Sequence, residues 1–401
     1  MSTTVCESPT AYIDEARIAE KLEAGRNPSP FRAREVLAKA RTMEGLTVEE
    51  AAVLSEVREP SMVGEMFAVA RAVNEEIYGN RLVPSAPLCI SDLCENECAY
   101  CLFRASNQAL TRQALTQEEI ARATRLLIDQ GHQRLLLVAG ESYPKDQGFD
   151  YVLDAIATIK QTRSARGEIR RVDLNIAPLT VAGFKDLKAA QIGTYQLLQE
   201  TYHRGTYAKV HLGGMKADYD WRGTALDRAM RAGIDDVGVG VLLGLYGWKF
   251  EVLALLQHAQ HLEAAFGVGP RTISVPRMEA VAGSALACRP PHPVSDEDFK
   301  KVVAILRLAA PYTGIIISTR ENAATRRAAF QLGVSHISAG SPCDPGGYPF
   351  QLGDRPSLDE VVRDIASLGY APSFGTPCHP LGRTGAESME IAGQIETHIT
   401  K

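Results

Sequence analysis

Apolar residues recur at spacings of three and four through the first part of the chain, and after Pro84 they form short continuous runs. Spacings of three and four place apolar side chains on one face of a helix. The stretches TVEEAAVLSEV and SMVGEMFAVARAVNEEIYG show this pattern most clearly. Residues 11 to 80 are therefore predicted to be helical.

After Pro84, short apolar runs alternate with amphipathic, helix-like stretches such as TQEEIARATRLLIDQG. The runs cover residues 87–91, 134–140, 171–177, 194–200, 235–243, 271–277, 314–319 and 334–340. Strands that are buried on both faces and alternate with helices form parallel sheets. Eight evenly spaced strands over about 250 residues predict a closed α/β barrel, the (β/α)8 TIM barrel, rather than an open doubly wound sheet.

This pattern divides the chain into three parts. We expect an N-terminal helical extension at 1–84, the barrel at 85–345 and a short C-terminal extension at 346–401. Chemistry in such barrels belongs at the C-terminal ends of the strands.

Composition restricts the class of protein further. The 401 residues are 45% hydrophobic and 23% charged, with a formal net charge of −5, so no basic surface for nucleic acid is expected. We found neither a secretory signal nor an apolar run long enough to span a membrane. The expected location is the cytoplasm, where clustered cysteines more often bind metal or do chemistry than form disulfides.

Cys94, Cys98 and Cys101 form a C-x3-C-x2-C pattern on the loop that leaves the first predicted strand. Three closely spaced thiolates can surround one metal centre, whereas a structural zinc site normally needs a fourth ligand. A [4Fe–4S] cluster with one iron left open fits this number, and a zinc or coincidental cluster is the alternative. Tyr100 supports the cluster, and Cys89 is expected to be a small buried residue.

The pattern resembles the motif of the radical S-adenosylmethionine (SAM) superfamily, in which SAM chelates the open iron. The resemblance implies SAM contacts in the turn after the second strand and at the ends of the next two strands. The corresponding candidate residues are Tyr100, Ala139, Gly140, Glu141, Ser142, Asn175 and Glu200. Arg222 is a candidate partner for the SAM carboxylate, with a solvated arginine at a helix end as the alternative.

Longer strings, among them GESYPKDQGFDYV, GTYQLLQETYHRGTYAKVH and DRAMRAGIDDVGVGVLLGLY, resemble the aromatic amino acid lyases of this superfamily. That family includes the [FeFe]-hydrogenase maturase HydG and the 2-iminoacetate synthase ThiH. The resemblance implies one [4Fe–4S] cluster, SAM and cleavage of the Cα–Cβ bond of L-tyrosine to 2-iminoacetate (dehydroglycine) and p-cresol. It also implies an electron donor such as flavodoxin or ferredoxin, and a protein that accepts dehydroglycine, such as thiazole synthase.

An amino acid substrate needs a cation for its carboxylate, held at a rigid strand end. We predict Arg320 as that anchor and Ser274 as a hydrogen-bonding partner, with Glu200 as a further catalytic residue. The alternatives are a structural pair between Arg320 and Glu321 and a core hydroxyl for Ser274.

The C-terminal stretch PSFGTPCHPLGRTG departs from the hydrogenase maturase, which carries a second cluster there. Gly375 replaces the first of its cysteines, Cys378 remains, and no cysteine follows. We therefore expect a lyase that releases dehydroglycine, as a 2-iminoacetate synthase does. Tryptophan cleavage, a role in hydrogenase cofactor assembly, and a non-catalytic metal-binding barrel remain the alternatives.

Overall fold

In the computed structural model, which describes residues 8–318, 321–339 and 356–373, eight parallel strands form a closed barrel. The strands are β1 Arg81–Ser91, β2 Arg134–Ala139, β3 Arg171–Asn175, β4 Tyr195–Glu200, β5 Val237–Val241, β6 Thr272–Ser274, β7 Gly314–Ile317 and β8 His336–Ser338. Each pairs with the next in chain order, and β8 closes the barrel on β1, with Val83 opposite His336. Every strand overlaps one of the predicted runs, so the predicted barrel is confirmed.

Four helices precede the barrel: α1 Glu15–Ala24, α2 Pro30–Ala40, α3 Val48–Glu56 and α4 Pro60–Tyr78. Their positions agree with the helical pattern of residues 11 to 80. The next residues belong to the barrel, since β1 begins at Arg81, before the boundary expected at residue 85.

The remaining helices follow the strands. They are α5 Gln117–Gln130, α6 Asp150–Gln161, α7 Val181–Ala189, α8 Arg204–Val210, α9 Tyr219–Gly223, α10 Ala225–Arg231, α11 Trp248–Phe266, α12 Ala285–Cys288, α13 Asp296–Ala309, α14 Ala323–Leu332 and α15 Leu358–Ser367. A 3-10 turn, Met215–Ala217, lies between α8 and α9, and a small hairpin joins Arg163–Ser164 to Gly167–Glu168. A last short strand, β9 Ala371–Pro372, pairs with the start of β1.

Local sequence explains where these helices begin and end. α5, for example, begins after a capping box in which Thr116 and Glu119 each accept a hydrogen bond from the other's backbone. It ends at Gly131, whose φ of 103° lies in the left-handed region that favours glycine.

The N-terminal helices lie along one side of the barrel. α1 and α3 pack against α11, and α4 packs against α13 and α14. The Lys301 ammonium on α13 donates to the carbonyls of Ser55 (3.2 Å) and Val57 (2.7 Å) at the end of α3. Among the described residues, no helix combines the length and the apolar character needed to cross a bilayer.

Side chains alternate between the two faces of the barrel wall. The outward-facing ones, such as Leu135, Leu174 and Val239, are completely buried beneath the helices. The inward-facing ones are polar near the bottom of the barrel, where Arg134 and Asp173 pair, and they lead upward to the candidate site.

Candidate active site at the C-terminal end of the barrel

The loop after β1 carries the three predicted cluster cysteines, and its shape is set by backbone hydrogen bonds. The Ala99 N–H donates to the Val210 carbonyl (2.8 Å), and the Leu212 N–H donates to the Glu97 carbonyl (2.9 Å). These bonds pair the loop with the end of α8 and with the segment that follows it. We refer to residues 92–104 as the cluster loop.

All three cysteines of this loop carry free thiols. Cys98 is buried, and Cys94 and Cys101 are half-buried. Burial, partly opposed by the Lys216 ammonium, raises the pKa of Cys98 to about 12 and that of Cys101 to about 11. Metal ligation requires the thiolate, so binding a metal centre here would release protons.

The arrangement of these donors differs from that of a site for a single metal ion. The described residues contain no group of three His, Cys, Asp or Glu side chains arranged around one ion. In a four-iron cluster each cysteine binds a different iron, which is a different geometric requirement. The donor chemistry, three thiols on one partly buried loop, fits a cluster with an open iron.

Tyr100 lies inside the cluster loop and is buried. Its hydroxyl and His211 Nε2 are 2.8 Å apart, and His211 Nδ1 is 3.0 Å from the Tyr207 carbonyl. A carbonyl only accepts, so Nδ1 carries the proton and Nε2 accepts from Tyr100. Burial, with the Lys216 and Arg222 charges, lowers the pKa of His211 to about 2, so the imidazole is neutral.

The turn after β2 packs directly on the cluster loop. Ala139 ends β2 and is buried. A Cβ atom at Gly140 would lie 2.2 Å from the Leu93 carbonyl oxygen, so no larger residue fits without displacing the loop. The Ser142 N–H donates to the same carbonyl (3.2 Å).

Four charged side chains form a ring next to this turn: Glu141, Glu200, Lys216 and Arg222. Arg222 Nη1 is 2.8 Å from Glu141 Oε1, and Lys216 Nζ is 2.6 Å from Glu200 Oε1. The cross contacts, from Lys216 to Glu141 and from Arg222 to Glu200, are both 3.7 Å. No side chain of the ring is more than 14% exposed, so each charge depends on its neighbours for compensation.

The pKa directions reflect that compensation. Burial favours the neutral form of Glu141, but Arg222 and Lys216 outweigh it and hold the Glu141 pKa below its ordinary value. Burial also opposes the charge on Lys216 and Arg222, yet the two carboxylates raise the pKa of both. Glu141, Lys216 and Arg222 therefore remain ionised.

Asn96 joins the cluster loop to the charged ring. Its Nδ2 donates to Glu141 Oε2 (2.8 Å), and its Oδ1 accepts from the Lys216 N–H (2.9 Å). Because Asn96 lies between Cys94 and Cys98, a movement of the loop would be transmitted to the ring.

Glu200 has an unusual backbone conformation. It ends β4 with a φ of +73°, and the pairing with β5 shifts register between Leu198 and Glu200. Positive φ is costly for a residue with a side chain and is found where the surroundings require it, often at functional sites. The Arg222 Nε–H donates to the Leu198 carbonyl (2.8 Å) at this bulge.

The barrel interior below the ring is partly open. Inward-facing side chains in its upper half keep part of their surface accessible, namely Pro87, Leu136, Val138, Asn175, Leu198, Ser274, Ile316 and Ser338. Asn175 and Ser274 are two of these partly accessible residues, and they lie at the C-terminal ends of β3 and β6. Ser274 lies beside Gly240 and Ile316 in the strand register.

Three positions that the sequence analysis named, Arg320, Gly375 and Cys378, lie outside the described residues. Glu321, which was considered as a partner of Arg320, accepts hydrogen bonds from Arg277 Nε at 3.1 Å to each oxygen.

The structure corrects the sequence analysis at Arg222 and adds two residues to the site. The alternative view of Arg222 as a solvated arginine is wrong, because its side chain is only 3% exposed and lies within α9. Lys216 and Asn96 were missed. Asn96 had a signal, its place between two candidate ligands, whereas Lys216 lies in the short 3-10 turn Met215–Ala217 and had none.

Known proteins match this chain along most of its length. Residues 88–259 match the radical SAM superfamily model, and residues 274–371 match the biotin and thiamin synthesis associated domain. The 2-iminoacetate synthase of Escherichia coli (strain K12) is 31% identical over 292 residues, which are 73% of this chain and 74% of that enzyme.

Solved structures extend the match to the fold. The crystal structure of HydG, a maturase of the [FeFe]-hydrogenase, is 48% identical with a TM-score of 0.90, covering 95% of this chain and 85% of that one. HydG from Carboxydothermus hydrogenoformans is 39% identical with a TM-score of 0.84, covering 93% and 86%. The resemblance seen in the sequence is confirmed: the chain belongs to the radical SAM superfamily, in the group that contains 2-iminoacetate synthase and HydG.

Proposed function

We propose that this protein is a radical SAM lyase that cleaves the Cα–Cβ bond of L-tyrosine and releases 2-iminoacetate and p-cresol. The observation that carries the proposal is the similarity to 2-iminoacetate synthase, together with a charged ring and a cysteine loop above a partly open barrel. The inward-facing side chains of the upper barrel would line the reaction space next to the proposed cofactor site, since catalysis by a reactive radical requires exclusion of water.

Cys94, Cys98 and Cys101 would hold one [4Fe–4S] cluster, and Tyr100 would pack within their loop. Bound at this site, the cluster and SAM would supply the 5′-deoxyadenosyl radical that removes a hydrogen atom from the substrate's amino group. A flavodoxin or ferredoxin would serve as electron donor, since the radical requires one electron per cleavage of SAM.

The charged ring would bind the ionic groups of SAM. Arg222 would hold the SAM carboxylate, because a guanidinium grips a carboxylate with two parallel donors. Glu141 and Glu200 would face the cationic groups of SAM. Gly140 would keep the β2 turn pressed against the cluster loop, so that both contribute to one site.

Ala139, Ser142 and Asn175 would complete the SAM site from the ends of β2 and β3. Ala139 would shape its floor, and Ser142 and Asn175 would offer polar groups to the bound cofactor. All three lie at the C-terminal end of the barrel, where the chemistry of this fold is found.

The substrate would lie deeper, in the partly open interior. We propose Ser274, at the end of β6, as a hydrogen-bonding partner of the substrate and Arg320 as the anchor of its carboxylate. The aliphatic walls around Leu136, Leu198 and Ile316 would exclude water from the aromatic ring.

Supply of dehydroglycine to hydrogenase cofactor assembly is a second candidate function, favoured by the 48% identity to HydG. The replacement of cysteine by Gly375 and the lone Cys378 favour release of dehydroglycine instead, to an acceptor such as thiazole synthase. Free dehydroglycine hydrolyses to glyoxylate, which makes the two outcomes distinguishable.

The test is an anaerobic reaction of the reconstituted protein with SAM, dithionite and either tyrosine or tryptophan. We expect 5′-deoxyadenosine, p-cresol and glyoxylate in step from tyrosine, and none of them from the Cys98→Ser variant. Turnover of tryptophan alone would contradict the substrate. 5′-Deoxyadenosine without loss of either amino acid would contradict the lyase, and cyanide in place of glyoxylate would favour the second candidate.

A further inference from the structure

Lys216 is a buried lysine beside the cysteine loop, and of the four residues in the charged ring it is the one to which the proposed function gives no individual partner on SAM. Its side chain is 10% exposed, and its Nζ lies 2.6 Å from Glu200 Oε1. The same nitrogen lies 5.9 Å from the centre of the Tyr100 ring. Its positive charge opposes the effect of burial on the thiols of Cys98 and Cys101.

The backbone around Lys216 is held firmly against the cluster loop. The Lys216 N–H donates to Asn96 Oδ1 (2.9 Å), and the Lys216 carbonyl accepts from the Tyr207 hydroxyl (2.6 Å). Gly214, with a φ of +77°, approaches so closely that a Cβ there would lie 2.3 Å from Asn96 Oδ1. These contacts fix the backbone of Lys216, and the ion pairs of its ammonium with Glu200 (2.6 Å) and Glu141 (3.7 Å) hold the side chain in the ring.

The charges of the ring balance only when Lys216 is counted. Glu141 and Glu200 are two carboxylates, and Arg222 supplies one positive charge. Without Lys216 the ring would carry a net negative charge, and that charge would be buried beside three thiolates. Reduction of a cluster adds a further negative charge there, and in a poorly solvated site a nearby cation stabilises the reduced form.

We propose that Lys216 raises the reduction potential of the cluster held by Cys94, Cys98 and Cys101, and so allows a one-electron donor such as ferredoxin or flavodoxin to reduce it. In this proposal Lys216 acts only through its positive charge: it neither ligates iron nor contacts the substrate. The inference rests on the proposed cluster but not on the lyase reaction.

The test is a redox titration of the reconstituted cluster, followed by electron paramagnetic resonance and carried out without SAM or substrate. Dithionite and low-potential mediators supply the electron. We expect Lys216→Met to shift the midpoint potential to a more negative value and Lys216→Arg, which keeps the charge, to leave it close to wild type. The double variant K216M/E200Q restores neutrality, so its potential should return toward the wild-type value.

A matched control comes from the same region of the chain. Lys209 lies on α8 with an exposed side chain, so Lys209→Met removes the same charge where solvent screens it. Its potential should not move. Iron and sulfide content and circular dichroism would establish that each variant is folded and loaded, and Lys216→Gln takes the place of Lys216→Met if the latter does not hold the cluster.

The proposal is overturned if cluster-loaded Lys216→Met, or Lys216→Gln in its place, has the wild-type midpoint potential. It is also overturned if Lys216→Arg shifts the potential as much as Lys216→Met does. Failure of the wild-type protein itself to assemble a reducible cluster would instead contradict the proposed function. The two failures are thereby separated.

Discussion

Gly140 shows how one residue joins two parts of the candidate site. The sequence resemblance made Gly140 a candidate SAM contact, and a backbone without a Cβ can approach a ligand closely. In the structure the close approach is to the protein itself, since the Leu93 carbonyl of the cluster loop occupies the space that a Cβ would need. The preceding alanine, Ala139, is buried and meets no such restriction.

We expect Gly140→Ala to displace the cluster loop and destabilise the fold by about 1–3 kcal/mol, as overpacking typically does. Iron content after reconstitution should fall with it. Urea unfolding and iron analysis would measure both effects. Gly247→Ala is the matched control, because no atom lies within 4 Å of a Cβ at that position. Equal behaviour of the two variants would show that the loop accommodates the methyl group.

At the scale of elements, α11 supports the turn that follows β4. Its Glu251 is completely buried and accepts hydrogen bonds from the Thr201 hydroxyl and from the Tyr202 N–H (2.9 Å). These residues come directly after Glu200, whose left-handed backbone directs its side chain into the charged ring. The helix thus supports the candidate site through a contact outside the barrel.

The pH dependence of stability should report this contact. Burial raises the pKa of Glu251 to about 7, although its two hydrogen-bond donors oppose the rise and Glu15 adds to it. Between the ordinary pKa of a glutamate, about 4.3, and about 7, the folded protein keeps a proton that the unfolded chain has lost. This contribution to stability is therefore complete at low pH and is lost as the pH rises through that window, by about 4 kcal/mol at most.

Glu251→Gln removes the titration. Urea unfolding at pH 5 and pH 8 should show a smaller loss of stability with rising pH in the variant than in the wild type. The same pH dependence in both proteins would mean that Glu251 is not the group that binds the proton.

At the scale of the whole molecule, the candidate site lies at the C-terminal end of the barrel, and a network of charged side chains that stabilises the fold lies at the opposite end. At the bottom, Arg134 lies 2.5 Å from Asp173, and Arg171 lies 3.0 Å from the same carboxylate. Burial opposes the charge on Asp173, but the two guanidinium groups hold its pKa below the ordinary value. This network is remote from the cysteine loop and links β2 to β3.

Asp173→Asn should destabilise the protein by about 3–5 kcal/mol, because it leaves the buried Arg134 without its counter-charge. Arg171 would still pair with Asp236. Urea unfolding would measure the loss. Glu168→Gln breaks an exposed pair with Arg163 and should change stability by less than about 1 kcal/mol. A small effect of Asp173→Asn would indicate that Asp236 and water compensate for the lost charge.

Much of the fold followed from local pattern. The eight strands and the helices between them were predictable because burial on both faces produces continuous apolar runs, whereas burial on one face produces spacings of three and four. The cysteine loop was predictable for a similar reason, since its three thiols lie within one short segment at the end of β1. Such features depend on neighbours in the chain, which the sequence displays directly.

Barrel closure decided the rest. The charged ring draws on residues 141, 200, 216 and 222, which no local pattern relates, and Lys216 lies in a 3-10 turn of three residues, too short to show periodicity. The burial of Arg222 and the left-handed backbone of Glu200 depend on how β4, α9 and the cluster loop pack together. By itself, the sequence determined which elements form and where the cysteines lie. Only the tertiary structure decided which charges share a buried space, because that depends on contacts between segments far apart in the chain.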